Sequence, residues 1–309
     1  MNAVTATSAA PTVAPFAARG ITKRYGSLVA LNDVTLEIPA GRIVGLLGRN
    51  GAGKTTLLNI VSGIVLPSAG SAATFGVPTD RLDTPQLTRL GVVQQEGGMI
   101  SWMTVRQHLD FNASFYPSWD RKLEQRLLGE LELDPKRRIV QLSTGDRQKA
   151  GLLLGLCHRP ALLVLDEPMS ALDPIVRARA LDLLIERLRD DGCTVLVSSH
   201  ILNDVEKIVD RVICLDQGEV VADAAFDELQ ETYAEWILSS PAGTLPTAYP
   251  EPFVLSHHGD ARQARLRVRT NEFEAAEKFA SDYGAQVQRR PLNLEEIFPL
   301  LANSRKDVR

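Results

Sequence analysis

The chain has 309 residues, 44% of them hydrophobic and 23% charged, with a formal net charge of −4 at pH 7. This is enough chain for two domains and a sizeable core, and its composition is that of an ordinary soluble globular protein. The acidic balance argues against binding nucleic acid over the whole surface, and Cys157, Cys193 and Cys214 lack metal spacing and read as reduced core thiols of a cytoplasmic protein.

Residues 1–15 are rich in Ala, Thr, Ser and Pro, with no basic start and no continuous apolar core. They do not read as a secretory signal, and residues 1–17 are expected to form a disordered leader. No apolar run is long enough to span a bilayer, so any spanning helices must come from another chain. Residues 18–41 are strand-like, with apolar runs at 29–31 and 34–38 separated by a turn. Residues 43–47 read as a buried strand, followed by a helix ending near Gly63, turn chemistry at 66–71 and a short strand at 90–93. Residues 104–156 are mainly helical. A buried strand at 161–165, an amphipathic helix at 175–190, a strand at 194–198 and a hairpin around Gln217-Gly218 complete the pattern. Alternating strands and helices predict an α/β core with a largely parallel sheet, and the helical stretch 95–160 is expected as a separate lobe. After Tyr233 the prolines 241, 246, 250 and 252 mark a linker. A strand at 264–268, a helix from Phe273 to about Tyr283 and a helix at 294–301 then predict a small α+β domain over 236–309.

Gly48-Arg49-Asn50-Gly51-Ala52-Gly53-Lys54-Thr55 fits G-x-x-x-x-G-K-[ST], between a strand and a helix that opens on Thr56. Glycines let backbone N–H groups turn toward phosphate, and the helix N-terminus adds positive potential. Lys54 is placed to bridge β- and γ-phosphates and the Thr55 hydroxyl to ligate Mg²⁺. The apolar strand ending in Asp166-Glu167 supplies a carboxylate for Mg²⁺ (Asp166) and one to accept a proton from, or orient, an attacking water (Glu167).

These residues, with five further motifs in order, resemble the nucleotide-binding subunit of an ATP-binding-cassette (ABC) transporter over residues 18–235. Leu142-Ser143-Thr144-Gly145-Asp146 resembles the LSGGQ signature. Ser170-Ala171-Leu172-Asp173 is similar to the D-loop, and Ser198-Ser199-His200 places His200 as the switch histidine. Gln95 matches the Q-loop glutamine, with Gln94 as its rival, and Tyr25 matches the aromatic that stacks on adenine. The resemblance implies a P-loop NTPase cassette: a mixed sheet core with an inserted helical lobe, followed by the small α+β domain. It implies ATP and Mg²⁺ as ligands. Catalysis falls to Glu167, His200 and Gln95, and the metal to Thr55, Gln95 and Asp166. Nucleotide contacts come from Tyr25, the loop residues 48–56, and Ser143, Gly145 and Asp173. Because one cassette's signature closes on another's ATP, a C2 homodimer with two sandwiched nucleotides is implied.

Asp146 replaces the signature's glutamine. A carboxylate about 6 Å from phosphate costs about 3 kcal/mol at an effective dielectric of about 20. Arg147 is the expected neutralising partner. Residues 115–120, 134–138 and 294–298 are similar to type-2 exporters, whose membrane subunit is a separate polytopic chain. The implied function is therefore ATP hydrolysis that powers export at the cytoplasmic face of the membrane, with residues 97–103 offered to the membrane subunit. No nucleic-acid partner is expected. The alternative is a soluble ABC ATPase acting on nucleic acid, the ribosome or cluster assembly; the chain lacks the double cassette or coiled-coil insertion of such members. Arg265, Arg267, Arg269, Arg289 and Arg290 read as the solvated face of a strand rather than a lipid-facing patch, and His257-His258 as a loop pair.

Overall fold

A computed structural model describes residues 13–95, 98–270 and 273–303. The chain divides into two compact units, Met1–Ile201 with Leu215–Val220, and Leu202–Cys214 with Val221–Arg309.

In the first unit, β1 (Phe16–Tyr25) and β2 (Leu28–Ile38) pair antiparallel. β3 (Ile43–Gly48) has five buried residues in a row, the pattern of a strand covered on both faces. After α1 (Lys54–Val61) come β4 (Ala69–Thr74) and β5 (Val77–Pro78), which complete an antiparallel sheet of order β2-β1-β4-β5. Next are α2 (Thr84–Leu87), β6 (Leu90–Val93), α3 (Val105–Ala113), α4 (Arg121–Glu130), α5 (Thr144–Leu156), β7 (Leu162–Asp166), α6 (Pro174–Asp191) and β8 (Thr194–Ser198). β3, β8, β7 and β6 are successive parallel neighbours, with Ile43 opposite Val195 and both Thr194 and Leu90 opposite Leu162. Their carboxyl ends therefore gather at one edge, where an open α/β sheet presents its ligand site.

Helix starts follow local chemistry. Thr104 and Gln107 form a capping box on α3, Asp120 caps α4, and Asp173 caps α6 with Pro174 in its first turn. α3 and α4 share a buried carboxylate, Glu124, which accepts from Trp119 Nε1 (2.7 Å) and Arg121 Nη1 (2.8 Å) and pairs with Arg106. α5 is seated on β6 through facing glycines. A Cβ on Gly91 would lie 2.5 Å from the Gly155 carbonyl oxygen, and one on Gly155 2.7 Å from Val93 Cγ2.

The second unit begins with α7 (Leu202–Val205). The hairpin β9 (Arg211–Asp216) and β10 (Glu219–Ala225) follows, its tip belonging to the first unit. Then come α8 (Phe226–Thr232), β11 (Ala234–Ser239), β12 (Val254–Gly259), β13 (Gln263–Val268), α9 (Phe273–Asp282), β14 (Gln286–Pro291) and α10 (Leu294–Asn303). The antiparallel sheet has order β12-β13-β11-β14. One face packs Trp236, Leu266 and Val268 against Ala276 and Phe279 of α9, with Tyr249 and Phe253 joining the aromatic cluster. On the other, buried Glu235 is 3.0 Å from Arg290, which also pairs with Glu296 of α10 at 2.7 Å. Glu206 accepts from the Leu294 N–H at the start of α10 (2.9 Å).

Several expectations are corrected. The leader falls mostly outside the described residues, but β1 opens on Phe16 and Ala17, with Phe16 fully buried. The runs 29–31 and 34–38 are one strand, β2, kinked at Asp33 (φ +50°) rather than broken by a turn. Residues 69–71 belong to β4. A boundary at 235/236 cuts β11, the strand that pairs with both β13 and β14; the proline-rich stretch has a linker's composition, yet Leu245 and Tyr249 within it are buried. His257 and His258 lie on β12, not in a loop, and Arg265, Arg267 and Arg290 are engaged by Glu235 and Glu296 rather than merely solvated.

The glycine seat predicts that Gly91→Ala costs about 2 kcal/mol, because backbone, not a flexible side chain, meets the new methyl. A urea midpoint equal to that of the parent would refute the close approach.

Candidate nucleotide site

The phosphate loop, β7 and the segment after β8 line a cavity of about 600 Å³. Among the expected residues it collects Tyr25, Asn50, Gly51, Gly53, Lys54, Thr55, Thr56, Gln95, Asp166, Glu167 and His200. Gln95 faces it, whereas Gln94 lines only the neighbouring cavity. Gly48, Arg49 and Ala52 do not line it, and neither do Ser143, Gly145 or Asp173.

The loop's shape needs its glycines. Gly51 and Gly53 have φ of +81° and +102°, where only glycine is unstrained. A Cβ would lie 2.5 Å from the Ala30 carbonyl oxygen at Gly53, and 2.6 Å from that of Leu215 at Gly48. No side chain caps α1, so its first N–H groups are left for an anion. Lys54 is buried, and its ammonium donates to the carbonyls of Gly48 (2.8 Å) and Arg49 (3.3 Å), poised over the loop.

At the far side, Asp166 and Ser198 are paired residues of β7 and β8. The Ser198 hydroxyl donates to Asp166 Oδ1 (2.7 Å) and accepts from the Glu167 N–H (3.0 Å). Glu167 has φ +49°, a conformation costing a non-glycine residue about 1–3 kcal/mol. Its Oε2 accepts from the His200 N–H (3.2 Å) and lies 2.7 Å from His200 Nδ1. A buried carboxylate held by an imidazole can take a proton from water, while the other ring nitrogen stays free to meet an anion. At the opposite end Tyr25 is 46% exposed, with the Lys23 ammonium 5.1 Å from its ring centre. Its flat face suits a purine.

The donors fit ATP with magnesium. Thr55, Gln95 and Asp166 offer a hydroxyl, an amide oxygen and one carboxylate. Among the described residues no three His, Cys, Asp or Glu cluster as a metal cage. A hard cation here completes its shell with phosphate oxygens and water, which is how Mg²⁺ binds.

The ABC transporter family model matches residues 31–170. The bacitracin transport ATP-binding protein BcrA of Bacillus licheniformis is 32% identical over 224 residues, 71% of this chain and 73% of its own. The phosphonates import ATP-binding protein PhnC 2 of a Synechococcus species is 33% identical over 247 residues, 72% and 92% of the two chains. This chain belongs to the ATP-binding subunits of ABC transporters. It is an ATPase with the cassette fold of that family. Among solved structures, a dimeric post-hydrolysis state of the cassette MJ0796 bound to ADP and Pi superposes with a TM-score of 0.61 at 27% identity, covering 68% of this chain and 98% of that one.

The signature residues of this ABC subunit stand at the start of α5, outside the cleft. Ser143 caps α5, accepting from the Asp146 N–H at 3.1 Å. Gly145 allows close approach, since a Cβ there would lie 2.8 Å from the Ala171 carbonyl oxygen. Asp173 of the D-loop uses its carboxylate to cap α6, accepting from Ile175 and Val176. Arg147 is not the partner of Asp146. Arg137 Nη1 (2.9 Å) and Lys149 Nζ (3.4 Å) hold the carboxylate instead. Burial opposes ionisation of Asp146, yet Ser143, Lys149 and Arg137 outweigh it and keep the carboxyl below its ordinary range.

Sequence reasoning missed four residues of this region. Leu28 and Ala30 of β2 line the cleft beside Tyr25. Ser198 reads in the sequence only as a neighbour of His200. Gln148, two positions beyond the signature, is buried, and its amide spans two motifs. Nε2 donates to Ser170 Oγ (2.7 Å) and to the Glu167 carbonyl (3.2 Å), and Oε1 accepts from the Ala171 N–H (2.8 Å). Its signal was a polar residue on the apolar face of α5. Replacing it by Leu leaves the Ala171 N–H unpaired and loosens the 167–171 segment. Gln148→Leu is expected to cut Mg-ATP turnover about tenfold while ATP affinity changes less than about threefold. Equal losses in both would assign it to nucleotide binding.

Proposed function

We propose that two copies of this chain close on two Mg-ATP molecules and drive a separate polytopic membrane subunit in export. One observation carries the reading: the phosphate loop, Asp166, Glu167 and His200 share one cleft, whereas Ser143 and Gly145 of the same chain lie outside it. A chain that keeps the two halves apart completes its sites with a second copy. In the closed state Lys54 and the loop N–H groups hold the β- and γ-phosphates. Thr55, Gln95 and Asp166 hold Mg²⁺, whose charge offsets that of the phosphates. Glu167, oriented by His200 and Ser198, accepts the proton of the attacking water. His200 donates to the γ-phosphate through its second ring nitrogen. Ser143 and the Gly145 N–H serve the partner's nucleotide, beside Asp173.

The membrane subunit is supplied in trans on this reading; no described helix is long and apolar enough to cross a membrane. A second cavity, of about 530 Å³, adjoins Gln95 and is lined by Ile64, Val92, Met99, Ile139 and Val140. Trp102, 68% exposed, stands in the segment that follows; Gly97 lies outside the described residues. A groove of mixed lining, in which these apolar residues stand beside Gln95, Thr144 and Arg147, suits a cytoplasmic helix of the membrane subunit. On this reading the protein works peripherally, at the cytoplasmic face of the membrane. Export is favoured by the exporter-like stretches 115–120 and 294–298. Relatives carry both kinds of name, bacitracin transport and phosphonates import.

Glu167→Gln is expected to retain ATP binding, lose at least about a hundredfold in turnover and accumulate as an ATP-bound dimer in analytical ultracentrifugation. Normal turnover would reject its assigned role. Trp102→Glu is expected to release the co-purifying membrane protein at unchanged basal hydrolysis. In everted vesicles a solute moved by that partner should accumulate on addition of ATP; ATP-driven emptying would make the system an importer.

A further inference from the structure

We propose that Arg137 is the positioning residue that allows an acidic signature to close on nucleotide: its guanidinium, clamped between the loop before α5 and Asp146, cancels the carboxylate charge that would otherwise oppose ATP-dependent dimerisation. The inference rests on the sandwich-dimer reading of the same site.

Asp146 stands in the first turn of α5, one residue beyond Gly145. That turn is the part of the chain offered to the second copy's triphosphate. A bare carboxylate there repels the ligand it must meet. It is not bare. Arg137 Nη1 donates to Asp146 Oδ2 at 2.9 Å, and Arg137 Nη2 donates to the Gln141 carbonyl at 2.7 Å. The guanidinium thus joins the segment 139–141 to the helix that Ser143 caps. Its own backbone is anchored as well, since the Val105 N–H at the start of α3 donates to the Arg137 carbonyl at 3.0 Å. A fork held at both ends loses little freedom on pairing, which is the circumstance in which a partly exposed ion pair counts. Lys149, one turn further along α5, approaches the other oxygen at 3.4 Å.

Arg137 meets Asp146 Oδ2 directly, whereas Lys149, its side chain only 13% exposed, reaches only Oδ1 at 3.4 Å. Without Arg137 the Oδ2 oxygen is left uncovered. With the carboxylate replaced by an amide, Arg137 has no charge to cancel. The two positions must therefore be coupled. An arginine that served only to brace the 139–141 segment would act independently of residue 146.

The test is a double-mutant cycle in the full-length Glu167→Gln chain, reading the Mg-ATP concentration for half-maximal dimerisation by analytical ultracentrifugation. Arg137→Ala should raise that concentration about tenfold, and Arg137→Lys about threefold or less. Asp146→Gln should abolish the effect of Arg137→Ala. Raising the salt should narrow the gap between Arg137→Ala and its parent, because screening weakens the uncovered repulsion. Melting temperatures without nucleotide report whether each variant is folded. An equal loss on Arg137→Ala with and without the Asp146→Gln substitution, or no loss in either case, overturns the inference. Failure of the Glu167→Gln parent to dimerise at any Mg-ATP concentration overturns the sandwich reading itself, and the inference with it.

Discussion

Asp166 and Ser198 face each other at the last rung of the β7–β8 ladder, and the serine hydroxyl donates to the carboxylate at 2.7 Å. The same oxygen accepts the N–H of Glu167. One hydroxyl therefore ties the side chain of one acid to the backbone of the next. It can do so only if β7 and β8 are parallel and in this register. The register in turn depends on two all-buried five-residue strands, in which a slip of one residue would turn every side chain to the other face. Glu167 then turns out of the strand with positive φ, and the cost of that turn is offset by the hydrogen bond its N–H donates to Ser198 Oγ and by its contacts to His200. The packing of the sheet and the geometry of the acids are one constraint.

A second constraint links the acids to the signature. α5 lies on β6 through Gly91 and Gly155, and its first turn lies on the Ala171 carbonyl through Gly145. Gln148 fills the remaining gap with hydrogen bonds to residues 167, 170 and 171. The start of α5 is thereby braced against the segment 167–171 of its own chain.

The central sheet is plain in the sequence because its strands are unbroken apolar runs: the runs 90–93 and 194–198 coincide with β6 and β8. The loop residues 48–55 and the acids 166 and 167 were equally plain, because phosphate chemistry demands fixed spacing. What was hidden depends on contacts distant in the chain. Ser198 matters through Asp166, Gln148 through Ala171, and Arg137 through Asp146; none of these pairs has a periodicity. β2 looked like two strands because Asn32-Asp33 mimics a turn, whereas the Asn32 N–H donates to the Gly218 carbonyl and the strand runs on. The C-terminal sheet was half legible. β13 alternates cleanly, but β11 is followed by prolines that draw the boundary to the wrong side.

The arginines show why charge counts mislead in this protein. Arg265, Arg267 and Arg290 look like a basic stripe in sequence, yet they converge on Glu235 and Glu296, carboxylates contributed by β11 and α10. Glu296 is held below its ordinary range by Arg290 first, against burial, so the pair is a structural fastener rather than a surface field. Arg137 is the converse. It is the middle of a short basic run, Lys136-Arg137-Arg138, that by composition alone says nothing of the signature. The topology places its guanidinium 2.9 Å from Asp146, in the first turn of α5. A cation is informative here through the acid it meets, and that acid is set by the fold: β11 with β14 in one unit, the α5 start with the loop before it in the other. The same physical rule therefore removes one interface from consideration and exposes another.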